Sequence, residues 1–314
     1  LCMTPTSSVS FPVTSSDTSE GTVSTSTLSF STDNWSTAQT VTVFGVDDTL
    51  SDDNQAFSVT LGSVTSSDVN YAGKNPDDVS VTNVDNETAS ITVSALSGNT
   101  TEKGGTATFT VVLGSQPTSD VSIAVSSSDT SEATISPSSL TFGSSNYSTL
   151  QTVTVTGVDD FYDDDNVSYT ITVDPSSSIA SYNTMTSSTV AGSNIDNDIA
   201  AITVGAKSGN TSEFGTTATI NVTLATIPTA NVSIVVTDND STEVSITPTT
   251  LTITPSTWNT TNQVTLTGQD DSDNDGNITF RISFDNATST DSKYNEMAPS
   301  PAYVDVINVD DYAD

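Results

Sequence analysis

The chain repeats itself, and that constrains its folding more than any single residue does. The segment PTSSVSFPV at Pro5–Val13 returns as PTSDVSIAV at Pro117–Val125 and as PTANVSIVV at Pro228–Val236. Downstream, DTSE at Asp17–Glu20 reappears at Asp129–Glu132, and as DSTE at Asp240–Glu243. Trp35, Tyr147 and Trp258 follow at matching places, then Gln39, Gln151 and Gln263. VTVFGVDD at Val41–Asp48 matches VTVTGVDD at Val153–Asp160 and VTLTGQDD at Val264–Asp271. Each copy closes with NVDN (Asn83–Asn86), NIDN (Asn194–Asn197) or NVDD (Asn308–Asp311). Recurrence at a fixed period marks an array of one structural unit. The expected units are residues 1–88, 89–199 and 200–314.

Within a unit the apolar residues are chiefly Val and Ile with Thr between them, a mixture that fits a pleated, half-buried surface. In the second copy alternation predicts strands at Ile91–Ala95, Thr106–Leu113, Val121–Val125, Leu140–Phe142, Thr152–Val158, Val167–Val173 and Thr189–Ile195. Val153 and Val155 should point inward. About seven short strands separated by turn residues predict an antiparallel sandwich. The expected fold is therefore all-β: tandem immunoglobulin-like Greek-key β-sandwiches in a linear array. Copies two and three open with ITVSALSGNTTEKGGTATFTVVL (Ile91–Leu113) and ITVGAKSGNTSEFGTTATINVTL (Ile202–Leu224), whereas Leu1 aligns with the last residue of that block. The first copy is thus expected to lack two strands. Either the sequence is a piece of a longer array, or a neighbouring chain supplies them.

Charge narrows the function. The chain has 39 acidic residues against five basic ones, a formal net charge of −34. Nucleic acid and anionic membrane surfaces both demand Lys and Arg, so neither is an expected partner. With no histidine, zinc sites and His-assisted nucleophiles are not expected. The single cysteine, Cys2, cannot form an internal disulfide. No apolar run is long enough to span a bilayer.

The acids also recur by place. Pairs stand at Asp47-Asp48, Asp159-Asp160 and Asp270-Asp271, followed by Asp52, Asp164 and Asp275. Asp17, Asp129 and Asp240 sit in the third-strand loop, with Glu20, Glu132 and Glu243 close behind. Glu102 and Glu213 belong to the first loop, and Asp85, Asp196 and Asp310 to the exit of the last strand. Turn preference explains one Asp per loop. A pair plus a third acid in every copy asks for a cation, and calcium takes six to eight oxygen ligands. In a Greek-key sandwich these loops can converge on one pole, at the junction with the next unit. DSDNDG at Asp271–Gly276 has the beginning of a calcium loop but Ile282 where an EF-hand needs Glu, so an EF-hand is not expected.

These residues resemble the Calx-beta family of calcium-binding domains. The resemblance rests on TEKGGTATFTV (Thr101–Val111), on the GVDD loop with its trailing acids, and on the closing NVDN or NIDND. It implies calcium ligands at Glu102, Asp129, Asp159, Asp160, Asp164 and Asp196 in the second unit. In the third it implies Glu213, Asp240, Asp270, Asp271, Asp275 and Asp310. The first keeps Asp17, Asp47, Asp48, Asp52 and Asp85 but has no counterpart of the opening Glu.

The function expected is a Ca2+-stiffened structural spacer in a cell-surface adhesin or extracellular matrix protein. Its partners would be neighbouring units of the same or an identical chain, with cell-surface glycans or proteins bound by regions outside this piece. The alternatives are a filament subunit assembled by strand complementation and a carbohydrate-binding module. Trp35, Tyr147 and Trp258 are expected to cap the cores rather than to stack on sugars. Enzyme activity is not expected, because a catalytic carboxylate pair is normally unique in a chain.

Overall fold

Alternating apolar and hydroxyl-bearing residues place one face of each strand in a core and the other in water. The computed structural model describes residues 1–270 and 275–310, and there the chain is nearly all strand. The second unit is a two-sheet sandwich. One sheet runs Ala133–Ser136, Gln151–Gly157, Thr106–Leu113 and Ile91–Val93 in spatial order. The other runs Ser139–Phe142, Val121–Ser127, Val167–Ser177, Ser188–Ile195 and Thr100–Thr101. Register sets Phe109 opposite Val153 and Ala107 opposite Val155, and all four side chains are buried on one face of the sheet. Val153 and Val155 are fully buried, as the alternation requires.

Two strands escaped the sequence pattern. Thr100–Thr101 is too short to show a period, and Ala133–Ser136 is only four residues long and ends at Pro137. Both form because a neighbour already offers its edge: Thr100 pairs in parallel with Asn194, and Ile135 pairs with Val155.

The third unit repeats this plan. One sheet holds Val244–Thr247, Asn262–Gly268, Thr217–Leu224 and Ile202–Val204. The other holds Thr250–Ile253, Val232–Asp238, Ile278–Phe284, Tyr303–Val309 and Thr211–Ser212. The strand at Ile278–Phe284 stands where an EF-hand would begin its second helix. Trp258 and Tyr147 each pack, partly buried, against the core of their own unit.

The first unit is thinner. Thr27–Phe30, Val9–Ser15, Gln55–Leu61 and Val79–Asn83 form one sheet, but only Gly21–Val23 and Val43–Gly45 oppose it. Its buried apolar residues divide into two small clusters, Val9, Phe11 and Val64, and Val13, Phe57 and Val59. Fully burying such a side chain contributes about 1.5–3 kcal/mol. With so few buried, and Phe44 53% exposed, this unit has the least to hold it together.

Candidate metal centre

A recurring set of hydrogen bonds shapes the acidic pole of each unit. In the second unit the exit residue Asp196 accepts the Asp165 N–H on Oδ2 at 2.9 Å, while its own N–H donates to Asn166 Oδ1 at 3.1 Å. The first unit repeats the clasp between Asp85 and Asp53 (3.0 Å) and between Asp85 and Asn54 (3.1 Å). The third repeats it between Asp310 and Gly276 (2.8 Å) and between Asp310 and Asn277 (3.1 Å). The residue donating to the exit Asp lies in the left-handed region each time, at φ 65° for Asp53 and Asp165 and 77° for Gly276. That turn folds the acidic loop back over the strand exit.

A second recurring device lies beneath it. Asn194 is buried and donates from Nδ2 to Glu132 Oε2 (3.3 Å) and to the Val158 carbonyl (2.9 Å). Asn308 does the same to Glu243 and Gln269, and Asn83 to Glu20 and Val46. The glycine of each GVDD or GQDD stretch makes room for this asparagine. A Cβ on Gly157 would lie 2.2 Å from the Thr101 carbonyl and 2.4 Å from Asn194 Oδ1. Gly45 and Gly268 face Asn83 and Asn308 in the same way.

On this base the second unit gathers two sets of carboxylates. Glu102, Asp196 and Asp198 each offer an oxygen within 4.8 Å of the others, and so do Glu132, Asp160 and Asp164. Glu102 is 1% exposed and Glu132 5%. Glu102 Oε2 accepts the Asn197 N–H at 2.9 Å and the Asn197 amide at 3.1 Å, and that amide also donates to Asp159 at 3.2 Å. Asp196 Oδ1 accepts the Asp198 N–H at 2.6 Å. The side chains are thus held in place by neutral donors, none of which cancels their charge.

The electrostatic consequence is visible in their proton affinities. Burial pushes the Asp164 carboxyl up to about 6, helped by the charges of Glu132, Asp160 and Asp196. Burial also raises Glu102 and Glu132, the latter with repulsion from Asp160, Asp129 and Asp196. Asp198 is raised by burial and then by Asp196, Asp159 and Asp160. The Asp196 charge acts on members of both sets, so they form one electrostatic unit. Such a cluster is relieved by protons or by a cation. Its donors are all hard oxygens, which suit calcium rather than a soft metal.

The expected ligands divide in three ways. Glu102, Asp160, Asp164 and Asp196 are brought together, with Asp159 beside them. In the first unit Asp48, Asp52 and Asp85 line one small recess with Glu20 and Glu87, and Asp47 adds its charge to Glu87. Burial, then Asp48 and Asp85, raise the Asp52 carboxyl. Asp17, Asp129 and Asp240 instead serve their own turns, accepting the N–H and hydroxyl of Ser19, Ser131 and Thr242 respectively. In the third unit Glu213 is buried, Asp310 forms the clasp, and Asp270 and Asp275 are exposed. Asp271 lies outside the described residues.

Sequence reasoning left Glu132 and Asp198 out of the ligand set, although both enter the triads. The one signal for Glu132 was its recurrence as Glu20 and Glu243; its burial was not legible, because alternation would turn an acid directly before buried Ala133 or Val244 outward. Asp198 had a weaker signal, since an acid stands at its place in the first unit, Glu87, but the third has Tyr312 there.

The pole of the second unit meets the third. The Ile227 N–H donates to the Phe161 carbonyl at 2.7 Å, and the Phe161 ring lies 5.8 Å from that of Trp258. Lys293 Nζ sits 2.6 Å from Asp163 and 2.8 Å from Asp165, while the other Asp163 oxygen accepts the Ala200 N–H. The pole of the first unit meets the second at Thr49, whose carbonyl accepts the Gln116 N–H at 2.8 Å.

No protein-family model and no curated protein matches the chain. Several solved structures do. The calcium binding domain CBD12 of CALX1.1 is 13% identical over 60% of this chain and 77% of that one, with a TM-score of 0.27. Domains 4–9 of the surface layer protein SbsC are 17% identical over 98% of this chain and 40% of that one, at 0.29. The D00-D0 domain of Intimin is 12% identical over 70% and 100%, at 0.22. These likenesses add nothing to the sandwich architecture that the chain itself displays.

Proposed function

We propose that this chain is a run of calcium-stiffened spacer domains in an extracellular, cell-surface protein, divided into repeats at 1–88, 89–199 and 200–314. One observation carries the reading. Glu102, Asp196 and Asp198, with Glu132, Asp160 and Asp164, converge at the pole that abuts the next unit, and among the described residues no cationic side chain forms an ion pair with either set. Calcium, when bound, would supply the positive charge that these carboxylates lack. Glu102 and Glu132 would hold it from the buried side and Asp160, Asp164, Asp196 and Asp198 from the loops. The chain's own contribution is pre-orientation: the Asp196–Asp165 clasp and the Asn194–Glu132 bond set the carboxylates before any ion arrives.

Neutralising the pole would let the acidic loop lie against the following unit, which fixes the angle between the two. A row of such junctions makes a stiff spacer able to hold a distal domain away from a surface. Isothermal titration of chelator-treated protein with calcium tests this, read against Glu132→Gln and Asp164→Asn. Saturable calcium uptake that these changes weaken is expected. Uptake that neither alters would remove the assignment.

A second reading draws on the first unit. Its Val43–Gly45 strand pairs on one side only, with Gly21–Val23, and Phe44 is exposed. Strand donation by a neighbouring chain, giving a filament, would cover that edge; regular fibres in electron micrographs of the purified chain would favour it over isolated short rods.

A further inference from the structure

The second and third units differ where their two sheets meet at the side. In the third unit the edge strand Ile202–Val204 is sealed by the unit's own chain. Val204 donates its N–H to the Ser300 carbonyl at 2.9 Å, and the Ser300 N–H donates to the Ile202 carbonyl at 2.9 Å. Pro299 and Pro301 flank Ser300 and offer no N–H of their own, so Ser300 alone makes the bridge. Ile202 and Val204 are buried as a result, at 2% and 4% exposure.

The second unit has no such plug. Four residues, Ala298–Pro301, join Met297 to Ala302 in the third unit, while two, Thr186 and Ser187, join Met185 to Ser188 in the second. The equivalent strand is Ile91–Val93. Its neighbours Ser94 and Ser90 spend their backbone groups on Thr110 and Gly114 across the sheet. Alternation in an antiparallel ladder therefore turns the Val93 N–H and Ile91 carbonyl outward, to the side that Ser300 fills in the third unit. There lies a groove of about 730 Å³, lined by Ile91–Leu96 and Ser188–Ala191. Ile91 and Val93 are only half-buried. An edge with outward N–H and C=O groups is a template for strand addition.

We propose that this seam is a docking site for an extended peptide segment of a partner protein, uncharged and carrying a small residue flanked by prolines. The third unit supplies the pattern, because its Pro299-Ser300-Pro301 segment occupies the corresponding seam. Charge supplies the rest: none of the ten lining residues is ionisable, so neither an acidic nor a basic side chain finds a counter-charge in the seam. The proposal does not depend on calcium.

Amide exchange and a peptide titration, both followed by NMR on the whole chain, test it. In the free chain the Val93 amide should exchange at least about 100-fold faster than the Val204 amide, since only the latter is bonded. A capped Ala-Pro-Ser-Pro-Ala peptide should give saturable shifts confined to Ile91–Leu96 and Ser188–Ala191, and should slow Val93 exchange. Replacing Thr186-Ser187 with Ala-Pro-Ser-Pro should protect Val93 and abolish those shifts. A Val93 amide already as protected as Val204, or no saturable shift up to the peptide's solubility, overturns the proposal. So does protection of Val93 that grows with protein concentration, which would assign the seam to a second copy.

Discussion

The two junctions of this chain are built on one plan and finished differently. In both, the residue before a proline, Gln116 or Ile227, donates its N–H to the carbonyl just after the aspartate pair, Thr49 or Phe161. The second junction adds a ring contact, Phe161 against Trp258, and an ammonium, Lys293, between Asp163 and Asp165. At the first junction Thr49, Ser51 and Asp53 stand in for Phe161, Asp163 and Asp165, and Ser181 for Lys293. There Ser51, Asp53 and Ser181 line an open recess with no cation among its residues. Fixed side chains thus tie the second acidic pole to its neighbour, and the first pole lacks their counterparts.

Calcium removal should expose this contrast most strongly. A ligand bound only by the folded form at 100 times its Kd stabilises by about 2.7 kcal/mol, so chelation should lower the melting temperature by several degrees. Spin-label distances should then broaden at both junctions, and more across the first, which lacks the Phe161–Trp258 and Lys293 contacts, than across the second. Equal broadening at both would show the extra contacts of the second junction to carry no stiffness.

Acidification in chelator should act in the opposite sense to intuition. Glu102, Glu132, Asp164 and Asp198 have folded proton affinities raised above their unfolded values. Their protonated forms therefore favour folding, a contribution full below the unfolded values and lost as pH rises through about 6 for Asp164. Metal-free protein should melt higher at pH 5 than at pH 7.5, and calcium should bind more weakly at the lower pH. A flat metal-free profile would argue against these carboxylates being crowded.

Phe161→Ala should cost the second junction about 0.5–1.5 kcal/mol beyond lost area, read as broadened distances in chelator. Lys293→Ser should do less, because the ammonium is partly exposed and one partner, Asp165, is open to solvent. Burial tends to raise the Asp163 carboxyl, but the Lys293 ammonium and the Ala200 N–H outweigh it and hold it low. The smallest effect expected is a gain: Ser51→Asp with Ser181→Lys should narrow the first junction in chelator.

Much of this was legible from the repeat. Alternation located the long strands, and the recurring GVDD and DTSE stretches pointed to the loops that converge. The limits have physical causes. Asp17, Asp129 and Asp240 look like ligands in a list of acids, yet each lies two residues before a Ser or Thr and turns back to accept its N–H. Glu132 looks like a solvated acid until the fold buries it beside Asn194. Lys293 lies far along the chain from Asp163, and only the packing of one unit on the next brings them together.

The asparagine beneath each pole has a further consequence. Asn194 holds Glu132 with one amide hydrogen and the strand before the aspartate loop with the other, while its Oδ1 accepts the Thr100 hydroxyl at 2.9 Å. One neutral side chain thereby joins the first loop, the third-strand loop and the acidic loop at a single point. Any strain imposed when an ion draws the loops inward, or when a pulling force separates two units, reaches all three together. The pole should yield as one piece under load rather than loop by loop.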